Sequence, residues 1–130
     1  MFVDASALLA ILLQEPDADS IADALERAPR LLTSPIARYE TVAALTARKT
    51  MPVSVAQERL LALLYEAGIE TMEIDEEVGL LALRAFERYG RGRGHPAQLN
   101  MGDCFAYACA KARRIGLIYK GDDFSRTDLA

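Results

Sequence analysis

The chain has 130 residues, of which 52% are hydrophobic, so it can bury a core without disulfides or a structural metal. Its formal net charge of −4 argues against a protein that coats nucleic acid through many Lys and Arg side chains, although an enzyme with a local basic rim is compatible with it. No apolar run approaches the roughly 20 residues of a membrane span, and the N-terminus lacks the basic region of a signal peptide. We therefore expect a single domain over residues 1–130, in the cytoplasm and without membrane contact.

Short apolar runs alternate with amphipathic helices in the first part of the chain. MFVD predicts a strand that ends in an acid, and ADSIADALERA is typical of a surface helix. Ser34 and Pro35 provide a cap and a first-turn proline for the third helix. The predicted elements are a strand at residues 1–4, helices at 6–14 and 18–28, a strand at 30–33 and a helix from Ser34 to about Lys49.

The second part continues the alternation after a break at Met51 and Pro52. Ser54 and Gln57 fit a capping box for a helix over residues 53–68, and Gly68 ends it. Asp75 and Asn100 are the expected N-caps of two further helices. The predicted elements are that helix, a strand at 69–74, a helix after Asp75, a loop at 90–100, a helix from Asn100 closed by Gly116, and a strand at 117–120.

Periodic apolar residues indicate the buried sides of the last two helices. For the helix after Asp75 they are Val78, Leu81, Leu83 and Phe86, and for the helix after Asn100 they are Met101, Phe105, Ala108, Cys109 and Ala112. The two cysteines, Cys104 and Cys109, lie five residues apart on one helix and match no common metal motif. We interpret both as reduced core residues.

The alternation predicts an α/β fold with a mainly parallel central sheet flanked by helices. Ligands of such sheets gather at the carboxyl ends of the strands. Asp4 follows the first strand there, and Asp122 and Asp123 follow the last. Glu40 lies in the second turn of the helix after the second strand, and Asp103 lies in the first turn of the last helix, which must begin at the same edge. We expect acids from these remote positions to converge.

Clustered carboxylates repel one another, and burying them costs several kcal/mol unless a cation compensates. Oxygen-rich sites of Asp and Glu suit Mg²⁺ or Mn²⁺. Such ions activate water for attack on phosphodiesters and neutralise the charge that develops on the phosphate. The pattern therefore favours a metal-dependent phosphodiesterase.

Each acid also has a structural interpretation. Asp4 is a candidate helix cap, Asp103 complements the dipole of its helix, and Asp122 with Asp123 fits a turn. Glu40 is a candidate solvated side chain, although its neighbours are largely apolar. Metal binding and these structural roles stay open at this point.

His95 is the only histidine, so a metal-free ribonuclease that divides acid and base work between two histidines cannot be built here. It is expected to lie near the substrate or to make a structural hydrogen bond. Arg91 and Arg93 share its glycine-rich loop and are candidate contacts to RNA phosphates, with ordinary solvated arginines as the alternative.

Four segments of the chain, FVDASALLAIL, SPIARYETVAAL, HPAQLNMGDCFAYACAK and LIYKGDDFSRTDL, resemble the PIN-domain ribonucleases. Within that family they are similar to the VapC toxins of bacterial type II toxin–antitoxin modules. The likeness runs through nearly the whole chain, and its last two segments are the most specific. It implies a PIN-like three-layer fold.

The resemblance also implies a Mg²⁺-dependent endoribonuclease, with Mn²⁺ as a substitute metal. Asp4, Glu40, Asp103 and an acid of the GDDF turn would form the metal site, with Asp122 and Asp123 as alternatives for this fourth acid, and Ser6 matches a polar position near the metal. A metal-activated water would attack the scissile phosphate. The expected partners are RNA, a second copy of the chain in a homodimer, and a VapB-like antitoxin that forms an inactive complex, with higher assemblies of the two as an extension.

Two other classes of function compete with this interpretation. A haloacid-dehalogenase-like phosphatase also has an aspartate after its first strand and an acidic turn late in the chain, which GDDF resembles. That chemistry requires a second aspartate two residues after the first, where this chain has Ser6. The other alternative is a binding module without catalysis, whose acids are structural.

Overall fold

The computed structural model describes residues 1–130 and contains every strand and helix that the sequence predicts. The elements are β1 (Phe2–Val3), α1 (Ala5–Leu12), α2 (Ala18–Arg27), β2 (Leu31–Thr33), α3 (Pro35–Lys49), α4 (Val53–Ala67), β3 (Ile69–Thr71), α5 (Glu76–Tyr89), α6 (Met101–Arg113) and β4 (Leu117–Ile118). The prediction of an α/β fold with a parallel sheet flanked by helices is confirmed.

The four strands form one sheet in the order β3-β2-β1-β4, and every neighbouring pair is parallel. β1 pairs on one side with β2, at Phe2 and Leu32, and on the other side with β4, at Phe2 and Leu117. The backbone N–H of Asp4 donates to the carbonyl of Ile118 at 3.0 Å. The carboxyl ends of β1 and β4 are therefore adjacent, although they come from opposite ends of the sequence.

Alternate residues of the short strands supply two separate cores. Phe2 of β1 belongs to a cluster of 18 buried residues that includes side chains of α5 and α6. The next residue, Val3, belongs to a cluster of 11 that includes side chains of α1, α2 and α4. Successive strand residues point to opposite faces of a sheet, so the helices lie in two layers with the sheet between them.

The capping of two helices differs from the predictions. α4 begins directly after Pro52, which is its N-cap, and no side chain caps it; the predicted Ser54–Gln57 capping box is wrong because Ser54 already lies inside the first turn. α6 ends at Arg113, before Gly116, and its C-cap Arg114 adopts a left-handed conformation with φ 54°. A non-glycine residue thus takes the position where a glycine is usual.

The buried side of α5 is also shifted from the predicted one. Its buried residues are Val78, Ala82, Ala85 and Tyr89, whereas Leu83 is 64% exposed and Phe86 45% exposed. Met101, predicted to be buried, is 68% exposed, although the next three residues of α6 are buried. Apolar spacing alone did not separate the two sides of these helices.

The C-terminal segment is held against α6. Asp128 accepts hydrogen bonds from the Tyr107 hydroxyl at 2.6 Å and from the Lys111 ammonium at 2.5 Å. Upstream of it, Phe124 is buried and packs edge-on against Tyr119. These contacts fix the turn that follows β4.

Both cysteines are buried and free of disulfides, as predicted. Burial raises the pKa of Cys104 to about 11 and that of Cys109 to about 12. Since the thiolate is the reactive form, neither cysteine is a nucleophile at neutral pH.

No helix combines the length and the apolar character that crossing a bilayer requires.

Candidate active site

Asp4 lies at the end of β1, in the middle of the carboxyl edge of the sheet. It is 5% exposed and caps α1 by accepting the N–H of Ser6 at 3.1 Å. The Ser6 hydroxyl donates to the same oxygen, Oδ2, at 2.6 Å and accepts the backbone N–H of Lys120 at 3.0 Å. Ser6 therefore joins the Asp4 carboxylate to the chain that leaves β4.

Asp103 reaches this edge from the first turn of α6. Its carboxylate accepts the N–H of Asn100 at 3.1 Å, and Asn100 Oδ1 accepts the N–H of Asp103 at 2.8 Å, which completes a capping box. The side chain is nevertheless 7% exposed, which is unusual for a cap at the surface. The structural role considered for Asp103 is thus present, and so is its proximity to other acids.

Glu40 projects from the second turn of α3 and is half-buried. Its carboxylate lies against the first turn of α6, at Gly102. The negative charge of Asp4 contributes to raising the pKa of Glu40. Glu40 is therefore not a freely solvated side chain.

The turn after β4 contributes Asp123. Its charge acts on both Asp4 and Asp103, and its carboxyl group is within hydrogen-bonding reach of Asp103. Asp122 exerts no such effect on either residue; its backbone carbonyl accepts hydrogen bonds from the N–H and hydroxyl of Ser125. Within this turn Asp123 is therefore the acid whose charge acts on Asp4 and Asp103, and metal binding by Asp122 or Asp123 stays a prediction.

The electrostatics of the cluster are those of unneutralised acids. Burial raises the pKa of Glu40 to about 7, and the charge of Asp4 acts in the same direction. Burial likewise raises the pKa of Asp103 to about 7, against the hydrogen bond from Asn100 and with help from Asp123 and Asp4. Burial also raises the pKa of Asp4, although Ser6 opposes the shift. None of these acids forms an ion pair with a lysine or arginine.

The donor set fits a hard divalent cation, because it consists of carboxylate oxygens alone. No three acid, histidine or cysteine side chains are arranged to ligate one ion together. Mg²⁺ retains several waters and binds proteins through one or two carboxylates, so a looser group of acids suits it better than it suits Zn²⁺. The buried, like-charged carboxylates are the feature that a cation would stabilise.

The loop residues predicted to contact RNA lie outside this cluster. His95 Nδ1 accepts the N–H of Ala97 at 3.0 Å, and its ring packs edge-on against Tyr89, so the structural hydrogen bond considered for it exists. Arg93 stacks over Phe86. Neither Arg93 nor Arg91 is among the charges that act on the acids.

Two features of the site have no counterpart among the predicted residues. A polar groove with a volume of about 470 Å³ is bordered by both Asp122 and Asp123, and Pro96, Ala97, Ser125 and Arg126 complete its lining. Gly121, with φ +93°, turns the chain from β4 into the acidic turn, a conformation that favours glycine. In the sequence, the glycine before the paired aspartates could have indicated the turn. Nothing in the sequence indicated that Arg126 lines the groove.

Comparisons with known proteins give matches of both sequence and fold. The model of the PIN domain matches residues 1–129. A VapC ribonuclease of Rhizobium meliloti (strain 1021) is 42% identical over 139 aligned residues, which cover 98% of each chain. Among solved structures, Mycobacterium tuberculosis VapC20, described as a sarcin-ricin loop cleaving toxin, has a TM-score of 0.76 at 17% identity, over 99% of this chain and 95% of that one. A toxin–antitoxin complex from Klebsiella pneumoniae has a TM-score of 0.70 at 16% identity, over 98% and 92%.

Proposed function

The chain belongs to the PIN-domain family and, within it, to the VapC ribonuclease toxins, and we propose that it cleaves RNA with Mg²⁺ held at the acid cluster. This family assignment excludes the haloacid-dehalogenase-like phosphatase and the non-catalytic binding module. The residues that would hold the ion, directly or through its bound waters, are Asp4, Glu40, Asp103 and Asp123. The observation that supports the proposal is that these acids share one partly buried edge without a basic partner.

When bound, Mg²⁺ or Mn²⁺ would lower the pKa of water and neutralise charge on the scissile phosphate. The chain's own residues hold the acids in place for this. The Ser6 hydroxyl and N–H fix one oxygen of Asp4, and Asn100 fixes one oxygen of Asp103. Glu40, which is less buried than Asp4 and Asp103, is suited to bind a water of the ion.

The two adjacent acids of the GDDF turn offer a matched test of this site. Asp123→Asn should reduce RNA cleavage by roughly tenfold or more, since loss of a residue that supports a metal costs about 10–100-fold. Asp122→Asn makes the same chemical change one residue away and should leave cleavage within about twofold, in line with a surface substitution. Initial rates on total cellular RNA with Mg²⁺ measure both. Equal rates for the two variants would remove Asp123 from the site.

An antitoxin partner follows from the toxin family, and the Klebsiella structure of the same fold contains one. We propose that this chain binds a VapB-like antitoxin and forms a homodimer. Large apolar side chains are exposed on both sides of the molecule, as association surfaces require. They are Tyr39, Val53, Leu61 and Tyr65 on α3 and α4, and Leu80, Leu83, Phe86 and Met101 on α5 and α6.

Expression of the chain alone in a bacterial host should therefore arrest growth within a few generations. Co-expression of the neighbouring upstream reading frame should restore growth, because a basic antitoxin side chain entering the acid cluster would displace the metal. Colony counts after induction measure the effect, with Asp103→Asn as the inactive control. Normal growth with intact, folded protein would contradict the toxin assignment.

A further inference from the structure

Gly102, the second residue of α6, is buried against the carboxylate of Glu40. A Cβ at this position would lie 1.9 Å from Glu40 Oε2 and 2.4 Å from both Cδ and Oε1. Non-bonded atoms do not approach so closely, so an alanine and the present Glu40 position exclude each other. The three nearest atoms all belong to the mobile end of one side chain, and none belongs to the backbone.

The carboxylate has a physical reason to lie there. That reason is space and not charge, because no N–H of this turn donates a hydrogen bond to Glu40 and the charge of Asp4 disfavours a carboxylate there. A glycine in this turn lets the carboxylate approach the backbone more closely than any other residue would. Asp103 follows one residue later in the same turn. The stretch of backbone that contacts Glu40 therefore also carries Asp103.

We propose that Gly102 is a positioning residue for the reaction: the absence of a side chain fixes where the Glu40 carboxylate lies relative to Asp103 and Asp4. This inference rests on the proposed function. Its particular claim is that a methyl group at position 102 moves Glu40 and leaves the fold in place. Alanine is the better helix former, so a purely structural view predicts an unchanged or more stable, fully active variant.

Gly102→Ala and Gly79→Ala form a matched pair. Gly79 lies in α5, and a Cβ there would meet no atom within 4 Å. Both variants should keep or raise the melting temperature. Only Gly102→Ala should weaken Mn²⁺ binding and slow RNA cleavage, each by about tenfold or more, as expected when the support of a metal site is disturbed. Titration calorimetry with Mn²⁺ alone provides a readout that is independent of the RNA.

A double-mutant cycle with Glu40→Asp tests the cause. Aspartate is one methylene shorter and withdraws the carboxylate from position 102. The loss of Mn²⁺ binding free energy caused by Gly102→Ala should therefore be at most about a third as large in the Glu40→Asp background as in the wild type. Equal costs in both backgrounds, or a Gly102→Ala variant that unfolds or binds Mn²⁺ like the wild type, would overturn the inference alone. A wild type that does not bind Mn²⁺ would overturn the proposed function and the inference with it.

Discussion

Replacing Asp103 by asparagine should abolish RNA cleavage and growth arrest while the protein remains folded. An amide oxygen can still accept the N–H of Asn100, so the capping box of α6 persists. The charge that would hold the metal is lost, and we expect cleavage to fall by at least about a hundredfold, beyond the cost of losing a supporting residue. Cleavage of total RNA, growth on induction and circular dichroism measure the three effects.

Asp75→Asn is the matched control for this change. Asp75 is also an acid at a helix start and accepts the N–H of Val78 at 2.9 Å, but it is exposed and lies at α5, outside the cluster. This variant should retain cleavage within about twofold, as surface substitutions do. If Asp103→Asn were folded and cleaved RNA like Asp75→Asn, the role of Asp103 would be only structural.

The second large effect is the response of stability to metal. At a hundredfold excess over its dissociation constant, Mg²⁺ or Mn²⁺ should stabilise the wild type by about 2.7 kcal/mol. For a chain of this size that corresponds to roughly 10 °C in melting temperature. Asp103→Asn should respond much less, because one charge of the cluster is gone. Identical responses in the two proteins would mean that Asp103 does not take part in metal binding.

The same melts in chelator should show a particular pH dependence. Glu40 and Asp103 have folded-state pKa values of about 7, against about 4 in the unfolded chain. The folded protein therefore binds more protons than the unfolded chain between these values, and the free energy of unfolding decreases as pH rises from about 4 to 7. Asp103→Asn should lose less stability over this range. A metal-free wild type that gains stability from pH 4 to 7 would contradict the raised pKa values.

Helix and strand positions could be predicted from local signals, since Ser34, Asp75 and Asn100 are side-chain caps in the structure, as expected. The acids could be assigned to one edge because parallel strands end together. The exposed face of α5 could not be predicted, because Leu83 and Phe86 have the spacing of core residues and only the packing of α6 decides which side is covered.

The finer structure of the site depends on which side chains from remote segments contact one another, and local sequence patterns do not reveal this. Asp122 and Asp123 are adjacent and identical in chemistry, and only the folded structure shows that the charge of Asp123 acts on Asp103. Gly102 is a second case: a glycine in the first turn of a helix has no local signature, and its role depends on Glu40 from a distant helix. Contacts between remote segments, and not local propensity, separate these residues from their neighbours.

The pairing of β1 with β4 also has a consequence for when the site can exist. During synthesis the ribosome releases Phe2 and Asp4 first and the residues of β4 and the acidic turn last. Domains fold as their parts emerge, but β1 is a central strand whose neighbour β4 is synthesised last, so the sheet cannot be completed earlier. A nascent chain that still lacks β4 therefore also lacks the turn with Asp123, and the full set of acids first comes together only when translation has passed the final strand.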